Sequence, residues 1–491
     1  MDTFVIDGGR RLSGRVRING SKNAALPILA AALLTTEPVT IHDVPALDDI
    51  ANMIRLLAQL GCGQVAQGAE DSAGVIRLQT TDESISHAPY EIVRTMRASI
   101  CTLGPLLAKR GYARVSLPGG CSIGERPVDL HLRGLRALGA EITLEAGDII
   151  ARVPAGGLKG TTIFLGGANG STVLGTTNVM CAASLAKGTT IIECAACEPE
   201  VVDLAKLLIK MGAKISGAGS PRIVIEGVTQ LGGATYVVMP DRIEAGTFMI
   251  AAAITNGDMI LDNCPTDAML APIYWLEAAG VHVQQVAPLA ATIANTLPAG
   301  RPRGGSSLSL SSGSTSTNGS VGGGGSGGGG AGGGDDPLRR CVRVTTERVL
   351  KSVDVTTQPH PGFPTDLQAQ FMALLCLADG NSVVTERIFQ DRFLHVAELS
   401  RMGAKLVRQG STVIITGVRN LVGAPVMASD LRASAGLVLA GLAAEGTTCV
   451  NRVYHLDRGY ERMEERLRSL GASIARVDEK ELAAKNIAAV S

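Results

Sequence analysis

Residues 207–213 read LLIKMGA, and the phrase recurs along the chain as LLAQLGC (56–62), GLRALGA (134–140), WLEAAGV (275–281), ELSRMGA (398–404) and RLRSLGA (466–472). Each copy reads as the end of an amphipathic helix, stopped by a glycine that accepts a left-handed conformation and followed by a strand. The glycines are Gly61, Gly139, Gly212, Gly280, Gly403 and Gly471, separated by 78, 73, 68, 123 and 68 residues. A phrase returning at nearly constant spacing marks a repeated structural unit. One interval breaks the rule, and it holds GRPRGGSSLSLSSGSTSTNGSVGGGGSGGGGAGGGDD (300–336). Such a Gly/Ser tract has too little apolar surface to fill a core, and removing roughly 50 residues restores the period. It is read as a disordered surface insertion over 288–336.

A second phrase keeps the same period: a helix of small residues, a turn, then a Thr/Val/Ile strand. ILAAALLTTEPVTI (28–41), NVMCAASLAKGTTII (178–192), FMIAAAITNGDMIL (248–261) and LVLAGLAAEGTTCV (437–450) are examples. Small side chains let helix backbones approach closely, which predicts helices inside and sheets outside. The expected fold is α/β (α+β): two domains, each of three βαβα-type units. Residues 22–235 form one domain; 1–21 and 236–491 form a discontinuous second, with crossovers near Gly20 and Pro240.

The chain has 491 residues, and its 45 Lys plus Arg cancel its 45 Asp plus Glu. No global field attracts nucleic acid or an anionic membrane, so an anion site must be a local cluster, and the expected partners are small molecules. MDTFVIDGGRRLSG lacks the basic and apolar regions of a signal peptide, and the apolar runs fall short of the roughly 20 residues that span a bilayer. A cytoplasmic protein is expected. Ten irregularly spaced cysteines fit reduced thiols. The single CxxC, Cys194 and Cys197, has no second pair, and a strand entering a loop is a simpler reading than a metal or redox centre. Neither a Walker A sequence nor a GxGxxG after a strand is present, so no nucleotide cofactor is expected, and no metal.

The candidate chemistry lies in short, separated stretches. INGSKNAALPIL (18–29) puts Lys22 and Asn23 at the start of the first small-residue helix, where an ammonium beside free helix N–H groups makes either an anion site or a solvated cap. YEIVRTMRASI (90–100) sets Arg94 and Arg97 on one helical face, by default a solvated one. LPGGCSIGERPVDLH (117–131) surrounds Cys121 with glycines and adds Arg126, Asp129 and His131. A thiol near guanidinium and backbone donors has the setting of a reactive cysteine, and the glycines suit a lid. QPHPGFPTDLQAQFMALL (358–375) places Asp366 where a helix cap is expected. ASDLRASAGLVLAG (428–441) and YHLDRGYERMEERL (454–467) bring Asp430, Arg432, Asp457, Arg458 and Arg462 to two further helix starts. Arginine-bearing helix starts in a repeat protein point to one anionic ligand held from several units.

Taken in order, SKNAALPILAAALL, TMRASI, LPGGCSIGERPVDLH, MPDRIEAGTF, FPTDLQAQF, RFLHVAELSRMGA, DLRASAGLVLAG and HLDRGYER closely resemble the UDP-N-acetylglucosamine enolpyruvyl transferases. The resemblance runs from residue 1 to about 475, interrupted by the Gly/Ser tract. It implies two inside-out α/β barrel domains of three repeats each. It also implies transfer of the enolpyruvyl group of phosphoenolpyruvate to the 3-hydroxyl of UDP-N-acetylglucosamine, with release of phosphate and no cofactor, metal or protein partner. By motif, Lys22, Asn23, Arg126, Arg432 and Arg458 would hold phosphoenolpyruvate, with Lys22 and Arg458 also serving catalysis. Cys121 would be the general acid, able to form an adduct, and Asp366 would accept the sugar hydroxyl proton. Asn23, Arg97, Arg126, Pro127, Val128, Asp129, Leu130, Gly170, Ser171, Thr172, Val173, Asp366 and Ile388 would line the UDP-sugar site. Gly170 departs from the pattern, standing where many members have a lysine. Two alternatives are a transferase acting on shikimate 3-phosphate, whose sites lack the GGCSIGERP loop, and a non-catalytic sugar-nucleotide sensor.

Overall fold

The structure is a computed structural model, and it describes residues 2–65, 73–117, 128–168, 170–288, 336, 338–346 and 349–478. Most of the expected insertion, 288–336, lies outside the described residues, as do Cys121, Arg126 and Pro127 of the glycine-rich stretch.

Six four-stranded sheets follow one plan: a parallel pair at one end and two antiparallel pairs beyond it. Strands drawn from residues 39–237 make three of them, and strands from 2–17 and 258–478 make the other three. Each sheet buries one face. In the strand Thr189–Glu193, Thr190 and Ile192 point inward beside Ile225 and Ile223 of Arg222–Glu226, while Thr189 and Glu226 face out. Alternation of this kind belongs to antiparallel sheets covered on one side.

The covering elements are the small-residue helices. Lys22–Ala31, Leu103–Arg110 and Val173–Ala183 occupy the interior of the first lobe; Arg242–Ile254, Gln368–Leu375 and Leu431–Ala443 occupy that of the second. All 13 residues of Arg242–Ile254 are buried, as expected for a helix apolar on every side. Close approach is literal: a Cβ on Gly104 would lie 2.3 Å from the carbonyl oxygen of Asn178, and one on Gly436 would lie 2.9 Å from that of Ala369. The six helices end as the repeat predicts, with all six glycines at positive φ, from 76° at Gly61 to 106° at Gly212, but Leu270–Ala278 is not amphipathic as expected: Leu270 and Tyr274 are exposed, and Pro272 and Leu276 alone are buried. Sheets outside and helices inside, three units per lobe, is the architecture read from the sequence.

Two apolar cores result. The first is built of Leu, Ile, Val, Met and Ala; the second is centred on Phe4, Phe248, Phe371 and Tyr460. The chain passes between lobes twice, and the two passages touch. Gly20 bridges Pro240, Ser21 N–H donates to Met239 O at 2.7 Å, and Asp241 N–H donates to Asn19 O at 2.8 Å. Because the strand Ala234–Val237 pairs with Val39–His42, the chain leaves the first lobe only at Val238–Asp241. Among the described residues, no helix is long and apolar enough to cross a membrane.

Candidate active site

The ends of the buried helices of both lobes face one cavity of about 710 Å³. Lys22 begins the Lys22–Ala31 helix, after Ser21, whose Oγ accepts from Ala24 N–H as the N-cap. The lysine is buried, and its Nζ meets Asp49 Oδ2 at 3.1 Å. Burial pushes its pKa below the ordinary lysine value, Asp49 opposes this, and Arg432 and Arg458 add to the lowering. An incoming anion would relieve that positive crowding.

From the second lobe, Arg458 Nε reaches the other oxygen of Asp49 at 3.0 Å. Asp49 thereby joins a first-lobe lysine to a second-lobe arginine. Asp366 is not the helix cap that its position suggests. It sits inside the short turn Thr365–Leu367, while the cap positions of that turn and of Gln368–Leu375 fall to Pro364 and Leu367. Its Oδ1 accepts from Arg392 at 2.8 Å and its Oδ2 from Arg432 at 3.0 Å. The cap is made one repeat later, where Asp430 Oδ1 accepts from the N–H groups of Arg432 and Ala433. Burial works against the charge on Arg432, but Asp366, Tyr460 and Asp241 outweigh it and raise its pKa above the ordinary arginine value.

The opposite wall belongs to the first lobe. Arg97, Asp129 and Leu130 line it with Gly170, Ser171, Thr172 and Val173, while Ile388 contributes from the second lobe. Thr172 caps the Val173–Ala183 helix by accepting from Gly175 N–H at 3.2 Å, so that helix presents its N-terminus to the cavity. Such an end suits a phosphate. Gly170 closes a turn with Gly167 at φ +92°, a backbone conformation that lysine would occupy only with strain. His131 is buried, bonds Asn178 Nδ2 at 2.9 Å, and has its pKa lowered to about 4 by burial and by Arg97.

Not every candidate reaches the cavity. Val128 caps the Asp129–Ala137 helix and packs on the first core instead. Asp457 pairs with Arg476, and Arg462 is exposed beside Glu465 at 3.6 Å. Cys194 and Cys197 are partly exposed free thiols.

A sequence profile of the EPSP synthase (3-phosphoshikimate 1-carboxyvinyltransferase) family matches residues 6–296 and 336–467, leaving out most of the Gly/Ser tract. A UDP-N-acetylglucosamine 1-carboxyvinyltransferase of Nitratidesulfovibrio vulgaris strain Hildenborough is 49% identical over 476 residues, 97% of this chain and 99% of that protein. One of Methylacidiphilum infernorum is 47% identical over 482 residues, 98% of this chain and 100% of its own length. The chain belongs to the UDP-N-acetylglucosamine 1-carboxyvinyltransferase family. Solved structures agree on the fold: the enolpyruvyl transferase NikO from Streptomyces tendae has a TM-score of 0.77 at 23% identity, covering 97% of this chain and 99% of its own. EPSP synthase from Acinetobacter baumannii has a TM-score of 0.66 at 16% identity, covering 97% of this chain and 100% of its own.

Several cavity residues were not legible in the sequence. Asp49 looks like an ordinary helix-start acid in ALDDIAN (46–52), and only the fold shows Lys22 and Arg458 on it. Arg392 stands in a loop without periodicity. Arg242 and Glu200 form a buried pair at 2.8 Å between the lobes, and Glu198 accepts from His360 N–H at 3.4 Å across the same gap. Glu386 is wholly buried and accepts from Thr357 and Thr365 hydroxyls and from Ile388 and Phe389 N–H, fixing the loop that carries Ile388.

Proposed function

We infer that this chain transfers the enolpyruvyl group of phosphoenolpyruvate to the 3-hydroxyl of UDP-N-acetylglucosamine, releasing phosphate, at the entry to peptidoglycan synthesis. One observation carries the reading: one cavity between two lobes is lined by Lys22, Arg432, Arg458 and Asp366 together with the N-terminus of Val173–Ala183. Phosphoenolpyruvate, with its phosphate and carboxylate, competes with Asp49 and Asp366 for the same cations. As it draws Arg432 away, an oxygen of Asp366 becomes able to accept the sugar hydroxyl proton.

The hydroxyl oxygen bonds to C2 of the enol phosphate while a proton passes from the Cys121 thiol to the methylene carbon, giving a tetrahedral intermediate. Return of a methyl proton to the Cys121 thiolate and breakage of the bond between C2 and the phosphate oxygen restore the double bond and expel phosphate, which takes up the proton held by Asp366. Lys22, Asn23, Arg126, Arg432 and Arg458 hold the charge that redistributes on phosphate and carboxylate. Arg97, Arg126, Pro127, Asp129, Leu130 and the 170–173 turn place the nucleotide sugar, with Ile388 beside it, while Val128 supports them from the core. The two lobes act as the domains that bring these halves together, with the expected boundary at 235 moved past Val237, whose strand pairs within the first lobe. Both substrates are soluble, and the cytoplasm is the compartment in which the enzyme would meet them.

The test is phosphate release from phosphoenolpyruvate. Release that requires UDP-N-acetylglucosamine supports the reading. Equal release with shikimate 3-phosphate contradicts it in favour of the shikimate-type transferase, and binding without release favours a sensor.

A further inference from the structure

The two lobes are joined on two sides, and the sides differ in kind. Around the cavity, the joining bonds are Arg458 with Asp49, Arg242 with Glu200, and Glu198 with the N–H of His360. All of these groups line the cavity, where a ligand can compete for them. Beside the chain passages lies a second set that no ligand needs. Asp43 follows the first-lobe strand Val39–His42 and is gripped by two second-lobe arginines. Arg17 Nη2 donates to both its oxygens at 2.9 Å, and Arg339 Nη1 donates to Oδ2 at 3.1 Å.

Arg339 does more than pair. The same guanidinium donates to Asn263 Oδ1 at 2.9 Å and, through Nη2, to the carbonyl of Val238 at 2.7 Å. Asn263 in turn donates to Ile18 O at 2.7 Å. Val238 and Ile18 flank the two passages bridged by Gly20 and Pro240, so one side chain ties both strands of the hinge. Leu338, just before it, packs on the first-lobe core although its strand, Arg340–Thr346, belongs to the second lobe. Asp336 Oδ1 accepts from Leu338 N–H at 3.0 Å, anchoring this segment locally.

We propose that Arg339 is a hinge-positioning residue: its three-way fork onto Asp43, Asn263 and Val238 O forms a fixed pivot about which the cavity-side contacts open and re-form. A planar guanidinium can serve three acceptors in fixed directions, and an ammonium on a flexible stem cannot reproduce that set. Hydrogen exchange of the whole chain tests the pivot independently of activity. In Arg339→Gln, amides at 18–21 and 238–241 should exchange about tenfold faster while the sheet amides of both lobes keep their protection. Arg339→Lys should behave like Arg339→Gln, and Asp43→Asn should give a smaller effect in the same peptides.

A kinetic arm rests on the transferase reading: KM for UDP-N-acetylglucosamine should rise about fivefold with kcat changed less than about twofold. Unchanged exchange at both passages, a rise spread evenly over both lobes, or full rescue by lysine would each overturn the pivot. Localised exchange without any turnover in the parent enzyme would leave the pivot standing and count against the proposed reaction alone.

Discussion

At Asp366, position in the chain and role in the site diverge. A helix-start aspartate ordinarily caps, yet here both carboxylate oxygens are turned to Arg392 and Arg432. Replacing Asp366 with Asn keeps the shape and removes the proposed proton acceptor. Turnover in steady-state phosphate release should fall by roughly 10²- to 10⁴-fold with a modest change in KM for phosphoenolpyruvate. Retention of near-parental kcat would remove Asp366 from the chemistry. His131 offers a pH test. Its folded pKa of about 4 lies below the unfolded value of about 6.5, so the unfolded chain takes up the proton first as pH falls. The stability it contributes is complete above about pH 6.5 and is lost on the way to pH 4, on the order of 3 kcal/mol. His131→Gln should remove that share, so denaturation of parent and variant at pH 7.5 and 4.5 should show their difference shrinking toward acid. Parallel curves would contradict the assignment. The histidine is visible in the sequence; the Asn178 and Arg97 that set its behaviour arrive from distant helices and are not.

Among the elements, the repeat was legible because it is local physics: a small-residue helix opens each unit, and a left-handed glycine ends the helix that comes after it. Gly104 and Gly63 separate packing from composition. A methyl on Gly104 would be driven into Asn178 O at 2.3 Å, whereas one on Gly63 meets nothing within 4 Å. Gly104→Ala should destabilise by about 3 kcal/mol or more in chemical denaturation, and Gly63→Ala by less than about 0.5 kcal/mol. Equal effects would contradict helix-to-helix contact as the reason for small residues. The cavity was legible in part, because Lys22 and Arg432 fall at helix starts within recognisable motifs, whereas Arg458, expected at a helix start, ends the short turn Val453–Arg458. Asp49, Arg392 and Glu386 were hidden, since their partners are brought in by tertiary packing rather than by spacing.

Across the whole molecule, charge balance hides strong local polarity. The net charge is zero, yet Lys22, Arg242, Arg392, Arg432 and Arg458 converge on one cavity, each held by Asp49, Asp366 or Glu200. These internal carboxylates keep the cations buried at tolerable cost until a ligand displaces them. Salt should therefore weaken phosphoenolpyruvate binding less than it would at an exposed cluster. The tract beyond 288 enters between two paired strands, Val281–Val286 and Arg340–Thr346, whose register is set by the sheet. Joining residue 288 to Asp336 by a short turn, which keeps Leu338 and Arg339, should leave turnover within about twofold, because loop-closure entropy changes slowly with length. A large fall in rate would give the tract a role in the reaction.

The central claim is that one cavity brings a thiol and a carboxylate to the same three-carbon ester. A crystal structure with UDP-N-acetylglucosamine and a phosphoenolpyruvate analogue measures it directly. The account predicts the sugar 3-hydroxyl within hydrogen-bond reach of Asp366 and the sulfur of Cys121 facing the methylene carbon of the same bound analogue. Residues 121 and 366 opening onto separate cavities would contradict it.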